Sequence, residues 1–169
     1  MTIAFAIFGL VLLALGGMFA VGAALPVGHV ATVRIVVDAN PSQVWALLTD
    51  VEHFPDWRKD VKSVVRKDSV GGYASWVEVT DFGEIPLTVI DQEQNVTLTA
   101  KIDGQDLKFG GTWTWELAGQ GSQCEVTITE RGEVYSPPFR FLSKYIFGHD
   151  RTLKAYAASL EAKLGRGGA

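Results

Sequence analysis

The stretch VVDANPSQVW, residues 36–45, decides the fold because it joins the end of a strand to a capped helix. Asn40 is a favoured N-cap residue, Pro41 suits the first helical position, and Gln43 stands where a capping-box side chain reaches back to the cap. The preceding residues, 29–38, are rich in β-branched side chains with one mostly apolar face. The sequence therefore predicts a first strand that leads directly into a helix.

A series of short strands follows this helix. The Phe54-Pro55 break first predicts a second short helix or turn within residues 50–60. Six strand-like runs then alternate with turn residues, at Val61–Lys67, Tyr73–Thr80, Ile85–Asp91, Val96–Ile102, Leu107–Leu117 and Cys124–Tyr135. Their separators are short enough for hairpins, so the runs are predicted to form an antiparallel meander. Counted with the first strand, these runs make seven strands. Gly110-Gly111 predicts a bulge or a bend in the sixth of them, Leu107–Leu117.

From Pro137 the apolar period changes to three and four. The residues that recur on one stripe are Leu142, Ile146, His149, Leu153, Ala157, Leu160 and Leu164. This pattern predicts one long amphipathic helix, whose apolar stripe is expected to pack on the concave face of the sheet. The predicted fold class is α+β: a seven-stranded antiparallel curved sheet around a long C-terminal helix, with two short helices after the first strand. The Gly-rich residues 165–169 are expected to be a flexible tail.

The N-terminal segment has a different character. Ile3 to Leu25 contains no charged residue, and as a helix it would reach roughly 35 Å, enough to cross a hydrocarbon core of about 30 Å. The alternative is a cleaved signal peptide, because residues 20–24 are small. No Lys or Arg precedes the apolar run, and the run is longer than a typical signal peptide core. We therefore expect an uncleaved transmembrane anchor at residues 1–27 and one domain at residues 28–164.

The charge of the remaining chain limits its partners and location. The nearest positive residues after the apolar run are Arg34, Arg58 and Lys59, which favours a single-pass protein with a cytoplasmic domain. The formal net charge is −4 and the basic residues are scattered, which argues against nucleic acid as a partner. Cys124 is the only cysteine, so no internal disulfide is expected. The motifs of metal, nucleotide and serine-nucleophile sites are lacking in the sequence, and no metal or cofactor is predicted.

Three stretches resemble a known superfamily. They are VVDANPSQVW, Asp50 followed by Phe54-Pro55-Asp56-Trp57-Arg58, and Thr129-Glu130-Arg131-Gly132-Glu133 leading into Pro138-Phe139-Arg140-Phe141. Together with the element order, they resemble the helix-grip fold of the SRPBCC superfamily, which includes START domains, pollen-allergen-like proteins and polyketide cyclase/dehydrase-like proteins. The resemblance covers about residues 28–164. It implies an apolar ligand cavity, whereas only some members of the superfamily are enzymes.

Glu130 and His149 are the candidate residues for proton transfer. Alternation from Val126 through Ile128 places Glu130 on the inward face, where a carboxylate must find a partner or take up a proton. Alternatively, a bulge near Gly132 turns Glu130 outward, or an arginine such as Arg58 or Arg140 pairs with it. His149 falls on the apolar stripe of the predicted long helix, where an ordinary core role is the alternative.

Aromatic and polar side chains complete the predicted ligand site. Trp113 and Trp115 share one face of a strand, and five tryptophans are a large amount of rigid apolar surface for one domain. The full set of predicted ligand-binding residues is Trp45, Trp57, Arg58, Trp76, Trp113, Trp115, Ile128, Glu130, Tyr135, Leu142, Tyr145 and His149. For each aromatic residue, simple packing of a core is the alternative.

Three functions compete at this point. The favoured one is a membrane-anchored, non-catalytic binding protein for a hydrophobic small molecule, such as a lipid, a quinone or a polyketide-like compound. The second is a cyclase/dehydratase-type enzyme that uses Glu130 and His149 for proton transfer. The third is a membrane scaffold whose cavity is filled by its own side chains.

Overall fold

The computed structural model describes residues 2–104 and 107–167. Seven antiparallel strands form one curved sheet in the order β1-β7-β6-β5-β4-β3-β2. The strands are β1 (Gly28–Val37), β2 (Val61–Val70), β3 (Tyr73–Thr80), β4 (Gly83–Glu93), β5 (Thr97–Ile102), β6 (Phe109–Gln120) and β7 (Gln123–Val134). The predicted antiparallel meander is confirmed, and β1 closes it by pairing with β7.

Helices lie at both ends of the chain and after the first strand. They are α1 (Thr2–Ala24), α2 (Pro41–Thr49), a 3₁₀ helix (Val51–Asp56), α3 (Pro137–Leu142), a π turn (Ser143–Phe147) and α4 (Arg151–Leu164). The fold class predicted from the sequence is therefore confirmed, including the two short helices after β1 and the apolar N-terminal helix.

The start of α2 forms as its sequence predicts. The Asn40 side chain accepts a hydrogen bond of 3.0 Å from the Gln43 backbone N–H, and the Gln43 side chain accepts one of 3.0 Å from the Asn40 backbone N–H. Two orphan donors of the helix terminus are thereby satisfied. Val44 and Leu48 are buried, so the capped helix closes the interior at this end of the sheet.

Strand β6 has no bulge at Gly110-Gly111. Its register with β7 is unbroken from Phe109 to Gln120. Gly111 has a φ of 118°, and a Cβ at this position would overlap the Arg131 carbonyl oxygen. Glycine is therefore required for the conformation and for the close approach of the two strands. The register shifts of the sheet lie instead between β2 and β3 and between β4 and β5.

The predicted single C-terminal helix is divided into separate pieces. Gly148 adopts φ 75° and ψ 148°, which ends the π turn, and α4 restarts after Asp150. Gly148 is a residue type that commonly ends a helix, and Asp150, two residues later, is a favoured N-cap type. The apolar periodicity alone therefore overestimated the length of the helix. Ile146, placed on the buried stripe by that periodicity, is 62% exposed. The second piece, α4, packs Leu153, Tyr156, Ala157 and Leu160 into the core.

The last described residues contact the end of β1. Arg166 forms a bridge with Val37, and the Gly167 backbone N–H donates to the Val36 carbonyl oxygen over 2.9 Å. Residues 168 and 169 lie outside the described residues.

Helix α1 projects from the domain as an exposed apolar rod. Only 6% of the residues in its segment Ile7–Ala24 are buried, and by length and composition this segment could cross a membrane. A signal sequence meets the same criterion. The C-terminal end of α1 is docked on α3, because Gly22 is buried against Pro137 and the Arg140 guanidinium donates to the Leu25 carbonyl oxygen over 2.7 Å.

The strand registers define two ends of the sheet. The anchor end holds the start of β1, the end of β7 and the β3–β4 turn, and it is the end next to α1. The far end holds α2, the end of β1 and the β2–β3 turn.

Candidate functional site

Three ionisable side chains meet inside the anchor end, and we call them the acid–imidazole cluster: His29 of β1, Glu130 of β7 and His149 between the π turn and α4. The His29 Nε2 atom lies 3.9 Å from Glu130 Oε1, and both side chains are 15% exposed. The rings of His29 and His149 stack with centroids 4.1 Å apart. The fold thus stacks two histidines from opposite ends of the domain sequence, one of which lies beside a carboxyl group.

Alternation along the two strands aims these side chains inward. Glu130 follows the buried Val126 and Ile128, as the sequence predicts, and the register of β7 continues unbroken through Gly132. Gly132 is itself buried, and a Cβ there would overlap the His29 ring. A glycine therefore provides the space in which the His29 ring lies beside Glu130.

Burial changes the protonation of the cluster. Removal from water raises the pKa of Glu130 to about 7, against the weaker opposing effect of a hydrogen bond from the Trp113 side chain. Burial also lowers the pKa of His29, and the neighbouring His149 lowers it further. Burial and then Lys144 lower the pKa of His149, whereas Asp150 opposes that shift. Near neutral pH the cluster therefore combines a carboxyl group close to its midpoint with two imidazoles that favour the neutral form.

Several polar atoms of this cluster have no protein partner. His29 Nδ1, Glu130 Oε2 and His149 Nδ1 are buried, and none of them has a hydrogen-bond partner among the described residues. Most buried polar atoms in folded proteins are hydrogen-bonded, and leaving one unpaired costs about 1–3 kcal/mol. Three such atoms on neighbouring side chains make this cluster the candidate site for a polar ligand group.

An aromatic cluster lies next to these residues and fills the middle of the domain. Tyr156 of α4 contacts Trp57, Trp113 and Trp115, with ring centroids 5.5, 5.7 and 5.6 Å away. Trp113 belongs to both groups, since it pairs with Glu130 in the β6–β7 register. The apolar surface predicted for a ligand site is therefore present, and in this structure the side chains pack on one another.

A second buried carboxylate is fully paired. Glu78 receives hydrogen bonds of 2.7 and 3.0 Å from Arg58, and a third of 3.3 Å from the Trp76 indole. Burial is the largest single effect on Arg58 and works against its charge. The attraction of Glu78 and Tyr156, together with the hydrogen bonds to Asp60 and Glu78, outweighs burial, so the pKa of Arg58 lies above its ordinary value. Asp60 also accepts from Arg58 over 2.6 Å. The arrangement is a closed ion-pair network.

The sequence-based alternative of an arginine paired with Glu130 is wrong for both residues named. Arg58 binds Glu78, because β3 carries that carboxylate inward in phase with Trp76. Arg140 donates to the carbonyl oxygens of Leu25 and Tyr135. Glu130 is therefore left without a cationic arginine partner among the described residues.

An open groove is present at the far end, and we call it the α2 groove. It has a volume of about 350 Å³ and lies between α2 and the strands β2 to β5. Its walls include Trp45, Leu48, Trp76 and Leu98, and Arg66 lies among its polar residues. Ligand pockets commonly have volumes of about 300–1,000 Å³. Trp45 and Trp76, both predicted to bind ligand, are thus brought to one groove.

The remaining predicted residues have different surroundings. Ile128 is completely buried in the core, and Leu142 of α3 is partly buried. Tyr135 is 48% exposed and its hydroxyl donates to Glu133 over 2.7 Å. Tyr145 is 55% exposed and contacts the Phe141 ring. The structure does not bring these two tyrosines to the acid–imidazole cluster.

Sequence reasoning missed three residues that matter at the site. His29 has the same strand parity as Ala31 and Val33, so its inward direction could have been found from the sequence alone. Tyr156 falls three residues after Leu153 on α4, which is helical core spacing. Glu78 has the parity of Trp76, but its pairing with Arg58 joins residues twenty apart. That contact depends on how the 3₁₀ helix meets β3, which local sequence does not show.

Comparisons with known proteins match this architecture. The family model described as polyketide cyclase/dehydrase and lipid transport matches residues 28–164. A START superfamily protein from Mycobacterium smegmatis is similar over 80% of this chain and 97% of its own, with 16% identity and a TM-score of 0.67. No curated protein sequence matches this chain.

Two enzymes are also among the similar solved structures. The ZhuI aromatase/cyclase from Streptomyces sp. R1128 is similar over 81% of this chain and 93% of its own, with 13% identity and a TM-score of 0.67. Truncated norcoclaurine synthase from Thalictrum flavum is similar over 83% of this chain and 96% of its own, with 14% identity and a TM-score of 0.63. At these identities the likeness concerns the fold.

Proposed function

Because the chain belongs to the polyketide cyclase/dehydrase and lipid transport family, we propose that it is a membrane-anchored binding protein for a hydrophobic small molecule, such as a lipid, quinone or polyketide-like compound. The observation that supports this proposal most strongly is the set of buried, unpartnered atoms His29 Nδ1, Glu130 Oε2 and His149 Nδ1. A ligand hydroxyl or carbonyl group placed there would satisfy groups that the protein leaves unpaired.

The surroundings of the cluster favour an otherwise apolar ligand. Trp113 lies directly beside Glu130, and it leads into the aromatic cluster around Tyr156. Burial of apolar ligand surface against such rings stabilises a complex by about 25 cal/mol for each Å² removed from water. The ligand's polar group would determine its orientation, while the rings would supply most of the apolar contact.

Entry of a ligand requires side chains to move, and the C-terminal segment offers a place where this can happen. His149 follows Gly148, whose φ of 75° is unsuited to most residues. A glycine at this position lets the backbone change direction between the π turn and α4. We propose that movement at Gly148 displaces His149 from His29 and admits the ligand.

The anchor gives this binding function its location. Helix α1 is exposed, uncharged and long enough to cross a bilayer. Tethering the domain raises its effective concentration for a ligand dissolved in the same membrane. Arg34, the first positive residue after the apolar run, supports a cytoplasmic domain under the positive-inside rule.

Native mass spectrometry of the full chain in detergent or nanodiscs tests the proposal. We expect a bound hydrophobic molecule in the wild-type protein and lower occupancy in the apolar variant Glu130→Leu. Glu116→Leu is the matched control, since Glu116 is exposed on β6, and its occupancy should equal that of the wild type. Repeated absence of a bound species from the wild type would favour the scaffold function instead.

An acid–base enzyme of the cyclase/dehydratase type is the second candidate. It is favoured by the pKa of about 7 for Glu130, which lies beside the His29 imidazole, since proton transfer is most effective when the pKa of the group lies near the working pH. With the identified ligand as substrate, Glu130→Gln should abolish turnover under this hypothesis. A binding protein would show no turnover in the wild type and at most a reduced affinity in this variant.

A further inference from the structure

Exposed aromatic side chains are confined to one part of the described chain. Every phenylalanine, tyrosine or tryptophan that is exposed among residues with described side chains lies on α1 or at the anchor end of the domain. These residues are Phe5, Phe8, Phe19, Phe82, Tyr135, Phe139 and Tyr145. The exposed large apolar residues of β2 and of the β4–β5 region are aliphatic: Val65, Val70, Ile90 and Val96.

Phe82 is the most exposed of these aromatic residues. It lies in the β3–β4 turn and is 94% exposed. The Thr80–Gly83 pair closes this turn, and successive antiparallel registers across β5, β6 and β7 place it at the same end of the sheet as Gly28. A fully exposed phenylalanine at a hairpin tip buries nothing within the domain, so its apolar surface is available to a partner.

The C-terminal segment adds a second apolar surface at this end. Phe139 of α3 is 48% exposed, and Tyr145 and Ile146 of the π turn are 55% and 62% exposed. This surface is continuous with the anchor, because Pro137 packs on Gly22 and Arg140 binds the Leu25 carbonyl oxygen. The position of α3 next to the end of α1 is therefore determined by direct contacts.

Positive charges accompany these apolar side chains. The Lys108 ammonium lies 5.9 Å from the Phe139 ring centroid, and the Lys144 ammonium lies 5.6 Å from that of Tyr145. Beside Phe82, the carboxylate of Asp81 is paired with Lys62 over 2.5 Å. Aromatic rings with nearby lysines are typical of segments that lie at the interface between water and lipid.

We propose that Phe82, Phe139, Tyr145, Ile146, Lys108 and Lys144 form a membrane-contacting rim that rests on the anionic phospholipid surface around α1. This inference depends on the anchor of the proposed function and adds a fixed orientation of the domain. The apolar tips enter the interfacial region, while the lysines contact lipid phosphates. The rim would place the acid–imidazole cluster at the end of the domain nearest the bilayer, with His29 four residues after Leu25.

Site-directed spin labelling of the full chain in anionic lipid vesicles tests the rim. Single cysteines are introduced as Phe82→Cys and Ile146→Cys, with Cys124→Ala as the background. Val70→Cys and Val96→Cys are matched controls, since both sites are exposed, the first in β2 and the second in the β4–β5 turn. Leu13→Cys, at an exposed site on α1, reports on the anchor itself.

The expected result is a several-fold higher ratio of oxygen to nickel-chelate accessibility for labels at 82 and 146 than for labels at 70 and 96. Equal ratios at all four sites, with a lipid-exposed label at 13, would overturn the rim but leave the anchor intact. A water-exposed label at 13 would overturn both. Ligand occupancy, measured separately by native mass spectrometry, would show whether ligand binding fails independently of the rim.

Charge variants test the role of anionic lipid. Lys108→Gln combined with Lys144→Gln should lower the oxygen-to-nickel ratio at sites 82 and 146 in anionic vesicles. Lys163→Gln, at the C-terminal end of α4, is the control and should leave the ratio unchanged. An unchanged ratio in the double variant, or the same ratio in zwitterionic vesicles, would overturn the choice of an anionic surface.

Discussion

Glu78 and Glu130 are two inward-facing carboxyl groups of one sheet, but they have opposite surroundings. Glu78 accepts two hydrogen bonds from Arg58 and one from Trp76, and the side chains of the Arg58–Glu78 pair are 8% and 7% exposed. Glu130 has an unpartnered oxygen and a histidine nitrogen 3.9 Å away. A buried charge with a complete set of partners stabilises one arrangement of the core, whereas an incomplete set leaves capacity to bind something else.

The two carboxyl groups belong to different parts of one interior, of which the first stabilises the fold and the second is the one proposed to bind ligand. Arg58 and Glu78 hold the 3₁₀ helix region against β3, and their polar atoms face each other. The acid–imidazole cluster contains polar groups at a cost in stability, which a ligand can offset. Substitutions in the first network should therefore change folding, and those in the second should chiefly change ligand occupancy.

The largest effect is expected from Glu78→Ala, which leaves the buried Arg58 without its main partner. Removal of one member of a buried ion pair typically costs about 3–5 kcal/mol. Urea unfolding of the full chain in detergent would measure this loss. Glu84→Ala, at an exposed position of β4, is the control and should change the free energy of unfolding by no more than about 0.5 kcal/mol. If both variants lost a similar amount of free energy of unfolding, the Arg58–Glu78 pair would have no special role in stability.

The next effect is a pH dependence that belongs to Glu130. Its pKa is about 7 in the folded chain and 4.5 ordinarily, so between these values the folded state keeps a proton that the unfolded state has lost. The associated stability is complete below about pH 4.5 and is lost as the pH rises through 7, by about 3 kcal/mol. The lowered pKa values of His29 and His149 act oppositely, since they remove stability as the pH falls below 6.5.

Glu130→Gln isolates the carboxyl contribution because it leaves both histidines in place. We compare the free energy of unfolding of this variant with that of the wild type at each pH. The difference, variant minus wild type, should increase as the pH is raised from about 4.5 to 8. Urea titrations at several pH values would show the trend. A difference that stays constant across this range would mean that Glu130 has an ordinary pKa in the folded chain.

A smaller effect is expected when the space beside His29 is filled. Gly132→Ala would place a Cβ against the imidazole and displace it, with a typical overpacking cost of about 1–3 kcal/mol. Ligand occupancy should fall together with stability. Gly28→Ala is a close control, because the nearest atom to its Cβ is 3.9 Å away. Equal behaviour of the two variants would argue against a packed cluster at Gly132.

The smallest effect is expected at an exposed tyrosine. Tyr135→Phe removes only the hydroxyl that donates to Glu133, and the free energy of unfolding should change by no more than about 0.5 kcal/mol. Ligand occupancy in native mass spectrometry should equal that of the wild type. A marked loss of ligand would return Tyr135 to the binding site, where sequence reasoning first placed it.

The elements of this fold were predictable because their signals are local. The capping box of Asn40 and Gln43, the hairpin turns and strand alternation each involve residues a few positions apart. The inward direction of Glu130 follows from that alternation. The division of the C-terminal helix at Gly148 was overlooked because apolar periodicity continues across it, although Gly148 and Asp150, two residues later, are themselves local signals for the end of one helix and the start of another.

The partners within the site were not predictable in the same way. Arg58 was assigned to the ligand or to Glu130, whereas the way in which the 3₁₀ helix meets β3 brings it to Glu78. The stacking of His29 on His149 joins residues 120 positions apart. Strand parity shows that a side chain faces inward, but the residue that it meets depends on the twist of the sheet and on the break before α4.

The most direct test replaces the acid–imidazole cluster with apolar side chains of similar size: His29→Phe, Glu130→Leu and His149→Phe in one chain. If the cluster exists to bind a ligand's polar group, the variant should remain folded with equal or greater stability, since unpartnered polar atoms are removed. Native mass spectrometry should then show that the ligand bound by the wild type is lost. A stable variant that keeps the ligand at wild-type occupancy would contradict the account.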